Sequence, residues 1–240
     1  MWLALDTATD RASVALGTPG GHSPVFEEHV TGARRHAATI LLLIQELLQR
    51  AGSTLDALKG IALSDGPGSF TGLRVGASVA KALVHARRLP LWTAPSLLVR
   101  AAGVARRDTL VLAVSNALRG ELYAAAYRFT PDAIRTELIP SVRRPEDIVA
   151  GGIRPDILVG EAPAPAAGLL EDWVGSPMVG PPEGAPHAAR LLDLIGRSGG
   201  ALEIEAVTHW EPLYGRPAEA QARWETAHGR PLPDSVGSPG

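Results

Sequence analysis

The apolar positions at the start of the chain fall in short runs. Trp2-Leu3-Ala4-Leu5 and Ala12-Ser13-Val14-Ala15-Leu16 flank Asp6-Thr7-Ala8-Thr9-Asp10. Asp and Thr side chains bond nearby backbone groups and favour a turn. The pattern predicts strand, turn, strand, with a third strand over Pro24 to Val30. The period then changes. Ile40, Leu41, Leu43, Ile44, Leu47, Leu48 and Ala51 recur at helical spacing and predict a helix from Arg35 to Ala51, stopped by Gly52. These positions cover an arc of about 160°, with Leu42 outside it, where one sheet face needs about 100°. The excess predicts burial on two sides, either as a central core helix or as a subunit interface. The pattern leaves both open.

Ser53 to Leu58 reads as a short capped turn or helix and Gly60 to Ser64 as a buried strand. A glycine-rich junction follows, then a helix from Phe70 to Ala86, a strand opening at Pro90 and a helix from Pro95 to Ala105. That order predicts an α/β fold, a mixed sheet with helices on its faces. A second half opens with strands at Leu110 to Val114 and Glu121 to Tyr127, with Arg119-Gly120 in the turn region between them. A short helix at Pro145 to Ala150, a strand at Ile157 to Gly160 and a helix at His187 to Ser198 complete it; Glu161 to Gly168 has no clear pattern. Each half begins strand, turn, strand, which predicts two lobes of related design without a provable sequence repeat. The expected division is an N-terminal lobe over 1–106, a C-terminal lobe over 107–226 and a disordered Gly, Pro, Ser and Asp tail over 227–240.

Composition narrows the field. Of 240 residues, 45% are hydrophobic and 20% charged, enough for a real core. The formal net charge of −2 gives no global pull on a polyanion, though a local basic patch stays open. The absence of cysteine removes disulfides, thiolate metal sites and a cysteine nucleophile. The N-terminus has no basic lead, and Ile40 to Ile44 is far shorter than the ~20 residues that span a bilayer, so the expected location is cytoplasmic, without a membrane partner.

Candidate chemistry centres on Asp65 to Gly76, D-G-P-G-S-F-T-G-L-R-V-G. A strand leading into a helix leaves backbone N–H groups that can hold a phosphate. Together with a carboxylate at the first turn, this makes Asp6, Thr7, Gly66, Gly68 and Ser69 a candidate nucleotide or phosphate region. A P-loop fails for want of a lysine after Gly72, and the Rossmann pattern fails at Thr71. The bland reading is a tight turn with Ser69 as helix N-cap and an Asx-type turn at Asp6. Gly72, Gly76 and Ala80 share one helical face. Each glycine costs about 1 kcal/mol against alanine, which close packing, within the chain or with a partner, would offset. No two of the seven histidines stand three or four residues apart, which excludes a helical His-x-x-x-His pair, and no G-x-S-x-G elbow exists.

Leu3-Ala4-Leu5-Asp6-Thr7-Ala8-Thr9, His36 opening the Leu-rich helix, Gly66 to Gly76, Asn116-Ala117-Leu118-Arg119-Gly120-Glu121-Leu122-Tyr123 and Pro212-Leu213-Tyr214-Gly215-Arg216 together resemble the bacterial TsaB (YeaZ) family. The resemblance implies a two-lobed, actin-like and sugar-kinase-like fold. It implies a non-catalytic subunit that pairs with TsaD, the transferase that places a threonylcarbamoyl group on an adenosine beside the tRNA anticodon, and an ATPase subunit, TsaE, in the same assembly. TsaD-type sequences carry a His-x-x-x-His metal pair where this chain reads Trp92-Thr93-Ala94-Pro95-Ser96-Leu97-Leu98, so no metal, cofactor or catalytic residue is expected. The resemblance places the partner interface on the two helices at Arg35–Ala51 and Phe70–Ala86, through His36, Ile40, Leu43, Leu47, Gly72, Val75, Gly76, Val79 and Ala80. A homodimer through the same surface is expected for the isolated chain, and tRNA is expected to be reached only through the complex. Asn116 and Ala37 depart from the family's Asp and Ser. An ATP-binding transferase or hydrolase using Asp6 is the alternative; a protease finds no nucleophile arrangement.

Overall fold

The computed structural model describes residues 1–21, 25–32 and 36–215, with the side chains of 36–38 outside that description. Strands β1 (Trp2–Asp6), β2 (Arg11–Gly17) and β3 (Phe26–Thr31) form an antiparallel meander. Helix α1 (His36–Arg50) then leads into β4 (Gly60–Ser64), which pairs parallel to β1. Helix α2 (Phe70–Arg87) leads into β5 (Leu91–Ala94), parallel to β4, and α3 (Ser96–Val104) leaves this sheet. The second sheet repeats the plan. Strands β6 (Thr109–Asn116), β7 (Leu122–Phe129) and β8 (Ile134–Arg143) run antiparallel, and α4 (Pro145–Ala150) precedes β9 (Ile157–Gly160), parallel to β6. In each lobe the first strand lies between the second and the fourth, with the third on the edge. Helices α5 (Ala164–Val174) and α6 (Ala188–Leu194) and a short β10 (Leu202–Glu203) follow.

Period-two alternation sorts the strand residues between cores. Leu3, Leu5, Ile61 and Leu63 point to α1 and α2, while Ala4, Ala15, Ala62 and Ala94 face the other side. Those alanines leave room for α3 and α6, whose Leu97, Leu98, Leu191 and Leu192 fill the space between the sheets with Val111, Tyr127 and Val159. A third core, including Leu112, Val114 and Leu158, packs under α4 and α5. Central strands buried on both faces read as unbroken apolar runs, which is why they are legible in the sequence.

Three elements differ from the sequence expectations. Strand β8 contains Pro140 and is mostly exposed or half-buried. As an edge strand it needs pairing on one side only, so it tolerates proline and carries no apolar signature. Helix α5 starts inside the Pro/Ala-rich stretch, with proline in its first turn, where a missing N–H costs nothing. The helix expected over His187 to Ser198 stops at Leu194.

Helix α6 packs on β1, β2 and β4, and β10 pairs with β5 in the first sheet. The expected tail over 227–240 lies outside the described residues.

Candidate functional site

The glycine-rich junction between β4 and α2 is held by the chain itself on three sides. From the first turn, the Ala8 carbonyl accepts the Ser69 N–H at 2.7 Å. From α3, the Ser96 N–H donates to the Gly66 carbonyl at 2.8 Å and its hydroxyl donates to the Pro67 carbonyl. From the C-terminal segment, the Leu213 N–H donates to the Asp65 carbonyl at 2.7 Å. Ser69 caps α2, its Oγ accepting from the Gly72 N–H at 3.2 Å. Two N–H groups that could meet a phosphate are thus spent on the protein.

The glycines mark the same contacts. A Cβ at Gly68 would stand 2.2 Å from the Ala8 carbonyl oxygen, one at Gly66 2.1 Å from that of Leu213, and one at Gly72 2.0 Å from that of Thr7. At Gly76 the nearest atom would be the Thr7 hydroxyl, at 2.3 Å. Real Cβ atoms do not come this close, so each of these glycines admits the chain's own backbone or side chain. The close packing anticipated for Gly72 and Gly76 is therefore intramolecular.

The expected interface residues separate into two groups. Ile40, Leu43, Leu47 and Ala80 are at most 8% exposed and belong to the core under the first sheet's outer face. The wide arc of α1 is used up by lying across β2 and β3 and against α2. On α2, Val75 and Val79 are half-buried. The sequence pattern placed Leu42 outside the stripe, and it is 60% exposed beside Leu41 at 58%. The side chains of His36 and Ala37 lie outside the described residues, as does Arg216.

Behind the junction lies a buried polar cluster. Asp6 and Thr7 are fully buried. Asp6 Oδ1 accepts from the Ala8 N–H at 3.2 Å. Burial raises the Asp6 pKa, against the Ala8 N–H and the charges of Arg100 and Arg11. Burial lowers the Arg100 pKa, opposed by Glu161 and Asp6. Burial likewise pushes Asp65 up to about 6, opposed by the Thr93 hydroxyl. Asp6 Oδ2, Thr7 Oγ1, Ser64 Oγ, Asp65 Oδ1, both terminal nitrogens of Arg100 and the Tyr127 hydroxyl find no hydrogen-bond partner among the described residues. In the sequence, the signal for Arg100 is a lone charge inside the apolar stretch Leu97-Leu98-Val99-Arg100-Ala101-Ala102.

A second polar contact ties β3 to the start of α6. Glu27 of β3 accepts from the Ser13 hydroxyl at 2.7 Å and the Ala189 N–H at 3.2 Å, and its Oε2 lies 3.1 Å from His187 Nδ1. Burial works against the Glu27 charge, but these partners prevail and hold its pKa at about 2. On the second lobe, Asn116 Oδ1 accepts from the Leu118 N–H at 2.8 Å, stabilising a turn in which Leu118 and Arg119 have positive φ. No group of three or more His, Cys, Asp or Glu side chains among the described residues is arranged to hold a metal ion. No described helix is long and apolar enough to cross a membrane.

Two sheets that share one order over their first four strands, packed together around α3 and α6, define a two-lobed α/β protein whose glycine-rich junction is packed by its own chain. A family profile described as TsaD, tRNA N6-adenosine threonylcarbamoyltransferase, matches residues 28–166. The chain is 32% identical over 226 residues to the tRNA threonylcarbamoyladenosine biosynthesis protein TsaB of Escherichia coli K12, covering 89% of this chain and 94% of that one. It is 26% identical to the TsaB of Bacillus subtilis 168, covering 92% and 96%. A crystal structure from Pseudomonas aeruginosa, described as similar to peptidase YEAZ, superposes with a TM-score of 0.71 at 28% identity, over 90% of this chain and 99% of that one. The chain belongs to the TsaB (YeaZ) family.

Proposed function

We propose that this chain is a non-catalytic subunit of tRNA threonylcarbamoyladenosine biosynthesis, pairing with a TsaD-type transferase in an assembly that includes a TsaE-type ATPase. The observation that carries the reading is the junction itself. Its anion-binding position is filled by the Ala8 carbonyl, and its glycines admit Thr7, Ala8 and Leu213. Asp6, the carboxylate an ATP-dependent enzyme would aim at a metal–phosphate group, is fully buried. The segment Trp92 to Leu98 supplies no histidine where TsaD-type chains have their metal pair.

The partner surface is the outer face of α1 and α2, redrawn from the expectation. Leu41 and Leu42 stand exposed and Val75 and Val79 half-exposed, whereas Ile40, Leu43, Leu47, Gly72, Gly76 and Ala80 serve the chain's own packing. Exposed leucines on adjacent positions of a surface helix suit a protein interface. The same face supports self-association of the isolated subunit.

The test is reconstitution. The chain alone yields no modified tRNA, and adding it to TsaD-type and TsaE-type subunits with ATP, a threonylcarbamoyl donor and tRNA restores transfer. Full transfer by the other two subunits without it defeats the proposal.

A further inference from the structure

We infer that the back of the molecule carries a phosphate-binding cleft for the tRNA backbone, so that this subunit touches the nucleic acid directly. The inference rests on the function proposed above for the identity of the RNA. The cleft itself rests on the structure alone.

The cleft has a volume of about 470 Å³ and opens between the end of α3, the end of β7 and α6. Four arginines line it, Arg106, Arg107, Arg190 and Arg197, against one lining carboxylate, Asp193. Asp193 pairs with Arg190 at 3.0 Å, and the adjacent Asp108 lies 3.5 Å from Arg107. Arg197 donates to the Thr130 carbonyl at 2.7 Å and stands over the Phe129 ring at 5.7 Å. The Arg106 side chain makes no hydrogen bond or ion pair among the described residues.

These residues come from three separate stretches of a chain whose formal charge is −2. Guanidinium groups scattered on a surface are ordinary. Four of them against the two carboxylates Asp193 and Asp108 leave the concavity net positive, which an anionic ligand relieves. Guanidinium forks match phosphate oxygens.

The shape favours a backbone over a small phosphate compound. Arg106 is exposed, as are the Arg107 and Arg190 side chains at 79% and 45%. The lining also includes the apolar residues Ala102, Ala105, Phe129 and Leu194. The Thr130 hydroxyl is spent on Ala133. A small ligand is usually fixed by polar groups at the bottom of a pocket, whereas a track of exposed cations reads phosphates without reading bases.

The test compares the parent chain with R106A/R107A/R190A, leaving Arg197 in its bond to Thr130, and with R154A, an exposed arginine outside the cleft. Each is assembled with the TsaD-type subunit, assembly is scored by co-elution, and an unmodified tRNA transcript is titrated between 50 and 200 mM KCl by fluorescence anisotropy. The isolated chain is titrated in parallel, so that failure to assemble counts against the proposed function while the cleft is still tested. The triple variant is expected to bind about tenfold more weakly at low salt, with a log–log salt slope shallower by about 2. R154A and the melting temperature stay unchanged. Equal affinity and slope in parent and triple variant, with assembly or in the isolated chain, overturn the inference. So does cleft-dependent binding of inorganic pyrophosphate in the absence of tRNA binding.

Discussion

Gly72 of α2 lies so close to Thr7 that a methyl group at position 72 would stand 2.0 Å from the Thr7 carbonyl oxygen. The helix and the first turn are thus packed backbone to backbone. Gly72→Ala is expected to destabilise the isolated chain by about 1–3 kcal/mol, the usual range for overpacking. Thermal denaturation of the monomer checks this. A variant that melts like the parent yet no longer binds its partner would place the face outward instead.

Exposed and buried residues of α1 should behave oppositely. Leu41→Glu and Leu42→Glu replace side chains 58% and 60% exposed, so melting should move little while co-elution with a TsaD-type subunit weakens about tenfold or more. Leu47→Ala removes a fully buried side chain and should cost about 2–5 kcal/mol of stability.

Glu27 makes stability depend on acid. Its pKa is about 2 in the folded chain against a usual 4.5, so its contribution is full above about 4.5 and lost as pH falls through that range toward 2. Glu27→Gln is expected to lower stability at pH 7 by about 2 kcal/mol, allowing for screening of a partly exposed pair, and to flatten the pH dependence below 5. Denaturant titrations at pH 3, 5 and 7 measure it. A stability difference that stays constant across those values contradicts the assignment.

Asp65 works in the other direction. Its pKa is raised from 3.8 to about 6 by burial, so ionisation penalises the fold progressively between those values and fully above 6. Asp65→Asn keeps the side-chain shape and removes the charge. It is expected to stabilise the chain at pH 8 by about 3 kcal/mol or less and to leave it unchanged at pH 4. Parallel melts at the two pH values decide; equal shifts at both would reject burial of the charge as the cause.

Much of the fold was legible because its central strands are buried on both faces and its first helices keep strong apolar periods. Gly60 to Ser64 is a strand with those bounds, and Phe70 opens α2 as expected. Strand β8 was not legible, since an edge strand carrying Pro140 satisfies its backbone without an apolar stripe. The candidate site was legible as a motif but not as a purpose. Spacing placed Gly72 and Gly76 on one face, yet could not say what lay against them.

The sequence by itself determined the two-lobed α/β plan, the glycine-rich junction, the family resemblance and the missing histidines after α2, because each depends on local spacing or residue identity. The tertiary structure alone decided that the junction is packed by Thr7, Ala8 and Leu213, that Ile40 and Leu47 serve the chain's own core, that Arg100 lies buried near Asp6 and Glu161, and that Arg106, Arg107, Arg190 and Arg197 share one cleft. Those relations join residues far apart in the chain. A net charge of −2 averages over the molecule and conceals where four cations meet, and only folding brings them together.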